Sequence, residues 1–334
     1  VSFPLSVLDL APVAPGETVT DSIAASVALA QCAEQHGYTR VWYAEHHNMP
    51  AIASSATSVL IAHVGARTST IRLGAGGVML PNHSPLVIAE QFGTLEAMYP
   101  GRIDLGVGRA PGSDQQAMHA MRTDPRAGDR FPQDVLELQA YLAGESRVPG
   151  VQAFPGSGSH VPLYVLGSST FGAQLAAALG LPYAHASHFA PQALRAAVEL
   201  YRRDFRPSEQ LDAPHVIAGA NVVAADTTAS AREQFEVLRR RRAALLFGRG
   251  RDLTEQETDL LLESAAGQQV DAMLTHSAVG TPAEVREQLV DFRRYADADE
   301  LIVGHSSPAL EGRLRSTVLL AEAVQSVGRA TVHA

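Results

Sequence analysis

Four short stretches of this 334-residue chain carry side chains suited to chemistry. The first is VWYAEHH at 41–47, an apolar run closed by an acid and two histidines. Adjacent residues of a strand face opposite ways, so only one of His46 and His47 points squarely at a site over the strand end. A histidine there donates a proton, or hydrogen-bonds to a reactive group, near neutral pH. The alternative keeps both rings structural, with Glu45 satisfying one of them. A metal site is the weaker reading, because no third ligand stands at a telling spacing.

The second stretch is LGAGGVMLPNHSP at 73–85, where Gly74, Gly76 and Gly77 occupy positions that a strand gives to Val or Ile. Glycine there marks a bulge, or a place where a ligand or another backbone comes close. The third, GRIDLGVGRAPGSD at 101–114, ends a strand in Gly108 and presents Arg109. A guanidinium beside glycine at a strand end suits a phosphate, though an ordinary surface ion pair is equally open. The fourth, YVLGSSTFGAQLAAALGLP at 164–182, ends a strand at Gly167 and begins a helix with Ser168 and Ser169. Free N–H groups at a helix start, with two hydroxyls, make an anion site; simple capping is the alternative. Arg130, just ahead of FPQDVLELQAYL, offers a second guanidinium. Singly these signals are weak. Together, a phosphate site, a bare backbone platform and a histidine suggest a mononucleotide with a flat ring, and flavin mononucleotide (FMN) fits.

The elements that must position them alternate from end to end. Strands are expected at 3–10, 39–44, 71–79, 103–107, 162–166, 183–187, 216–223 and 300–303, each followed by a helical pattern. The first helix opens at Thr20 or Asp21 and stops at Gly37, the third opens with Ser84 and Pro85, and the last runs from about Pro308 to Val327. Strand–helix alternation means parallel β-α units, and eight of them fit a closed (β/α)8 TIM barrel. A doubly wound open sheet is the alternative, but no early G-x-G-x-x-G follows the first strand. No linker divides the chain, so residues 1–334 are expected to form a single domain. Two segments read as excursions, 109–130 and about 247–277.

Composition narrows the classes. Hydrophobic residues make 46% and charged residues 18% of the chain, as in a globular protein with a large core. No apolar run reaches membrane-spanning length, and no basic segment precedes the apolar N-terminus, so no signal peptide and a cytoplasmic location are expected. Cys32 is the single cysteine, which excludes an internal disulfide framework and a cysteine-rich metal site. The net charge of −9 argues against a nucleic-acid partner. The one basic run, Arg239 to Arg242, falls in a predicted helix and points all round its axis, which favours a solvated helix end over an anion site.

At this point the sequence resembles a family, the bacterial luciferase-like flavin-dependent monooxygenases, and within it the single-chain alkanal-monooxygenase-like branch. The matching segments are SVLDLAPV (6–13), VWYAEHHNMP (41–50), RLGAGGVMLPNHSPLVIAEQFGTLEAMYPGRIDLGVGRAPG (72–112), GSS (167–169) and VGTPAEVREQL (279–289). The resemblance implies a TIM barrel, reduced FMN supplied by a separate flavin reductase, and O2 as co-substrate. It makes His46 the histidine needed for chemistry beside the flavin. It puts the ring against the backbone of Ala75, Gly76 and Gly77, with a non-proline cis peptide at Gly76–Gly77. It assigns the phosphate to Arg109, Arg130, Ser168 and Ser169, next to Gly108 and Gly167, and it calls for no metal. Gly108 is a departure, because luciferases carry a reactive cysteine there, and the 247–277 segment, a mobile active-site lid in the family, is unlike the luciferase loop. Both differences point to a small organic substrate other than a long-chain aldehyde. The arginine- and alanine-rich composition suits a secondary metabolite such as an aromatic polyketide. The family pairs its barrels through helices near the second and third strands, so a homodimer is expected. A deazaflavin-dependent hydride-transfer enzyme and a non-catalytic flavin-binding protein are the alternatives.

Overall fold

Short apolar runs, most of them buried on both faces, produce nine strands among the described residues, all parallel: β1 (Leu5–Asp9), β2 (Arg40–Tyr43), β3 (Arg72–Met79), β4 (Ile103–Gly108), β5 (Leu163–Gly167), β6 (Tyr183–His185), β7 (Val216–Ala224), β8 (Ser277–Gly280) and β9 (Glu300–His305). The computed structural model describes residues 3–110, 115–248, 251 and 253–330, with side chains to 324. Residues 111–114 of the GVGRAPGSD motif, and 249, 250 and 252 of the second excursion, lie outside the described residues.

Strands β1 to β7 follow one another round the sheet, and β9 pairs with both β7 and β1. That closes an eight-stranded barrel, the (β/α)8 TIM architecture expected from the strand–helix alternation. All eight expected strands are present. The ninth, β8, pairs only with Asn221–Ala224 of β7, beyond the point where β6 ends on that edge. Four residues at the end of an excursion carry too little pattern to announce a strand.

Among the described residues, twelve α-helices cover the barrel: α1 (Val19–Gln35), α2 (Thr57–Gly65), α3 (Pro85–Met98), α4 (Gln115–Ala120), α5 (Phe131–Ala143), α6 (Thr170–Leu179), α7 (Leu194–Asp204), α8 (Thr228–Phe247), α9 (Glu255–Leu262), α10 (Ala265–Met273), α11 (Pro282–Ala296) and α12 (Leu310–Ala330). Helix α1 starts at Val19, one to two residues earlier than expected, because Thr18 and Asp21 form a capping box. It ends at Gly37, whose φ of +72° only glycine adopts easily. Ser84 is the N-cap residue of α3, as expected, but its side chain makes no capping bond. None of the helices is long and apolar enough to cross a membrane, among the described residues.

The segment expected to be a lid is a helical hairpin. Helices α9 and α10 close over α8 around Ala243, Leu262, Val270 and Leu274. Arg239 Nε donates to Asp271 at 2.6 Å, and Arg240 pairs with Asp259. The arginine run therefore lies well inside α8 and not at a helix end.

The barrel interior is layered. Its middle is apolar, built from Trp42, Tyr164, Ala184, Ile217 and Ile302 with Leu8 and Leu166. Its N-terminal end is ionic. Arg40 donates to Asp104 at 2.7 Å, to the Tyr164 hydroxyl at 2.7 Å and to Glu300 at 2.9 Å. Arg72 and the Trp42 indole N–H also reach Asp104, while Ser6 and His215 reach Glu300. Burial opposes the charge on Arg40, but Asp104 and Glu300 outweigh it and raise its pKa above the usual arginine range. Buried charges persist only when paired in this way.

Candidate functional site

The C-terminal ends of the strands gather the four stretches on one face of the barrel. His46 and His47 follow β2 and take different roles. Buried Glu45 accepts from His47 Nε2 at 2.8 Å, from His83 Nε2 at 2.8 Å and from the Met79 N–H at 3.0 Å. Burial works to raise the Glu45 pKa, but these donors, His83 foremost, hold it below the usual carboxylate value. His47 is thus the structural ring, and Glu45 also ties the β2 loop to the end of β3. His46 is the other case: its Nδ1 is buried with no hydrogen-bond partner. Burial lowers its pKa, and the Ala44 carbonyl and Glu45 only partly oppose this, so the ring is neutral at pH 7. Among the described residues, no group of three or more His, Cys, Asp or Glu is arranged to hold a metal ion.

The glycines of β3 answer first to the protein itself. A Cβ on Gly74 would lie 2.7 Å from the Asp104 Cβ, one on Gly76 would lie 2.8 Å from the Trp42 Cβ, and one on Gly77 would lie 2.7 Å from the Gly106 carbonyl. Register shifts between Ala75 and Val78, where β3 runs along β4, and the Gly76–Gly77 peptide is cis. The Glu45 N–H donates to the Gly77 carbonyl at 3.3 Å. The bulge reading is therefore correct, and the neighbours that exclude side chains include Trp42 and β4. Gly108 differs: though it is buried, a Cβ there would meet, among the described residues, only the Met79 sulfur, at an ordinary contact distance of 3.6 Å, so the end of β4 leaves room beside its backbone. A flat ring could rest there on bare backbone, with His46 on the neighbouring strand end.

The anion-binding groups also converge. The Arg109 guanidinium lies 4.2 Å from the centroid of Phe171, in the first turn of α6. No carboxylate is within ion-pair distance of Arg109 among the described residues. Ser168 and Ser169 are exposed ahead of α6, and Ser169, its N-cap residue, makes no side-chain capping bond. The first-turn N–H groups are therefore free to take an anion. Gly172 packs 3.6 Å from where a Gly167 Cβ would be, which seats α6 close on its strand. Arg130 sits on the turn that packs against Arg109: a Cβ on Gly128 would lie 3.8 Å from the Arg109 Cγ. Its side chain is largely exposed and reaches Asp134 at 3.6 Å, so it is free to swing. These donors suit a phosphate, and the room by Gly108 suits the ring it would carry.

Two features of the same face were not picked out from the sequence. His188, in the loop after β6, has its Nδ1 buried without a partner. Asn221 of β7 is buried and donates to the His188 carbonyl at 2.8 Å. The rule that singled out His46, a histidine just past a strand end, would also have found His188.

The chain is thus a (β/α)8 TIM barrel whose strand ends gather an unpaired arginine, a free helix start and a buried, unpartnered histidine nitrogen. The model of the luciferase-like monooxygenase family matches residues 3–299. The chain belongs to that family and is a flavin-dependent monooxygenase. A luciferase-like monooxygenase of Escherichia coli K12 is 47% identical over 93% of this chain and 94% of that protein. The structure of apo-MsnO8 is 36% identical with a TM-score of 0.87, covering 97% of this chain and 98% of that one. Two more distant structures share the fold. One is the oxygenating constituent of 3,6-diketocamphane monooxygenase from Pseudomonas putida, a type II Baeyer–Villiger enzyme in complex with FMN (16% identical, TM-score 0.73, 97% and 98% covered). The other is an F420-dependent secondary alcohol dehydrogenase (17% identical, TM-score 0.71, 97% and 99% covered).

Proposed function

We propose that this chain is the oxygenating component of a two-component FMN monooxygenase, taking reduced FMN from a separate reductase and using O2 to oxygenate a small organic substrate. The observation that carries this is the convergence of Arg109 and the free start of α6 on one side of Gly108, with the unpartnered His46 Nδ1 on the other. Arg109, Arg130, Ser168, Ser169 and the α6 N–H groups hold the phosphate. The backbone of Ala75, Gly76, Gly77 and Gly108 supports the ring. When bound, reduced FMN supplies the electrons that activate O2. His46, neutral at pH 7, accepts or returns a proton at Nδ1 beside the ring. Glu45 positions that loop, and the α8–α10 hairpin keeps water from the mouth. Gly108 and the 247–277 segment favour a small organic substrate other than a long-chain aldehyde, and the arginine- and alanine-rich composition suits a secondary metabolite such as an aromatic polyketide. Exposed Val59 on α2, and Val87 and Met98 on α3, support a homodimer through those helices, and a monomeric mass in light scattering would oppose it.

The test of the chemistry is His46→Ala. The variant should bind reduced FMN like the unaltered protein and lose coupled product about a hundred- to ten-thousandfold. Unchanged product yield removes the role. A deazaflavin hydride-transfer reading draws on the shared fold alone. Under it, reduced deazaflavin would bind and substrate would turn over without O2 uptake.

A further inference from the structure

The run Arg239 to Arg242 is not uniform. Arg239 is held by Asp271 and Glu236, Arg240 by Asp259 and Glu236, and Arg241 donates to the Pro308 carbonyl at 3.4 Å. Arg242 is half-buried and has no carboxylate within ion-pair distance among the described residues. Burial lowers its pKa with no acid to oppose it. A guanidinium withdrawn from water without a counter-charge is costly.

Its surroundings mark the barrel mouth. Ile217 lies in the barrel interior, so Gly219, two residues on, faces inward as well. His188 Nδ1 stands 2.5 Å from where a Gly219 Cβ would be, so its ring lies over the inner face of β7. Arg241 donates to the Pro308 carbonyl, just past the end of β9, which seats this turn of α8 at the C-terminal end of the barrel, where the Arg242 charge opposes protonation of His188 and His46. The acid beside His46, Glu45, is already taken by His47, His83 and the Met79 N–H. Among the described residues, this part of the mouth thus combines the unpaired Arg242 guanidinium with two imidazoles, His46 and His188, whose Nδ1 atoms have no partner. The phosphate groups at Arg109 and α6 follow β4 and β5, whereas Arg242 follows β7, so a second anion is being provided for.

We infer that Arg242, with His188, is the substrate anchor of this enzyme, and that the substrate is a small organic acid whose carboxylate sits on the Arg242 guanidinium beside His46. The fork geometry of arginine matches a carboxylate through two parallel hydrogen bonds. The inference deepens the monooxygenase reading above and rests on it for the site.

The experiment uses the protein loaded with reduced FMN under nitrogen. Benzoate, phenylacetate and octanoate are titrated by calorimetry, each against its neutral amide. At least one acid should bind tenfold or more tightly than its amide. Arg242→Gln should abolish that preference, Arg242→Lys should keep part of it, and reduced FMN affinity should stay unchanged in both. Equal binding of acid and amide, no binding by any acid, or full acid preference in Arg242→Gln overturns the anchor. Loss of FMN affinity in Arg242→Gln also overturns it, by moving Arg242 to the cofactor. The acid–amide comparison on unaltered protein stands even if the variants do not fold. If the unaltered protein binds no reduced FMN, the monooxygenase reading fails, and the same comparison on unloaded protein still judges Arg242.

Discussion

The two ends of the barrel treat polar groups in opposite ways. At the N-terminal end, Arg40 and Arg72 meet Asp104 and Glu300, and Ser6, Tyr164, Trp42 and His215 fill the remaining positions around those charges. At the C-terminal end, Arg109 and Arg242 have no acid among the described residues, and the Nδ1 atoms of His46 and His188 have no partner. One apolar layer separates the two, and Trp42 spans it, with its indole N–H on Asp104 and its Cβ under Gly76. The difference teaches where to look for function. A satisfied ionic cluster is a stability device, whereas unpaired groups held at strand ends await a ligand.

The comparison can be broken most forcefully at the paired end. Asp104→Ala strips a shared partner from Arg40, Arg72 and Trp42. It should cost about 3–5 kcal/mol of unfolding free energy, read from urea melts. A change below about 1 kcal/mol would mean the cluster is not the stabilising element described here.

At the unpaired end the pattern should invert. Arg109→Ala should weaken reduced FMN binding by about 1.5–3 kcal/mol, the worth of a hydrogen bond to a charged group. Its effect on unfolding should stay within about 0.5 kcal/mol. Fluorescence titration and the same melts measure both, and equal FMN affinity would detach Arg109 from the phosphate.

The smallest effect sharpens the comparison through pH. Burial pushes the histidines down: His185 to about 4, His188 and His305 to about 3. Their folded values lie below the unfolded value of about 6.5, so the unfolded chain binds more protons between the two. Stability from these rings is complete above about pH 6.5 and falls as pH drops through that window. Glu45 and Glu300 are held below the usual carboxylate value against their own burial, so their contribution is lost only at lower pH, below about 4.3. His188→Gln should therefore flatten the upper limb of stability against pH by up to about 1.4 kcal/mol per pH unit. An unchanged upper limb would show that burial does not lower the His188 pKa in the folded protein.

Much of this was legible in the sequence because it is local. Eight strands follow from apolar runs that alternate with helical patterns, the (β/α)8 closure from their regular spacing, and Ser168, Ser169 and Arg109 from their places at strand ends. Other parts depend on how elements turn. Nothing in four consecutive arginines says which one α8 directs toward the mouth; that is set by the α9–α10 hairpin, which engages Arg239 and Arg240 through Asp271 and Asp259. The β3 glycines signal close approach in the sequence, but not that Trp42, Asp104 and Gly106 supply part of it from within the protein at Gly74, Gly76 and Gly77. Those neighbours come from strands far apart in sequence. His188 obeys the same rule as His46, a histidine just past a strand end; what the sequence does not carry is that Gly219 of β7 leaves room for its ring over the barrel interior.

The most direct test of the central claim is to mix the protein with reduced FMN under nitrogen, add oxygenated buffer, and follow the return of oxidised FMN absorbance. The account predicts that bound FMN reoxidises far more slowly than FMN in free solution, and that Arg109→Ala restores the free rate. Immediate reoxidation by the unaltered protein, with and without the organic acids that it binds, would contradict it.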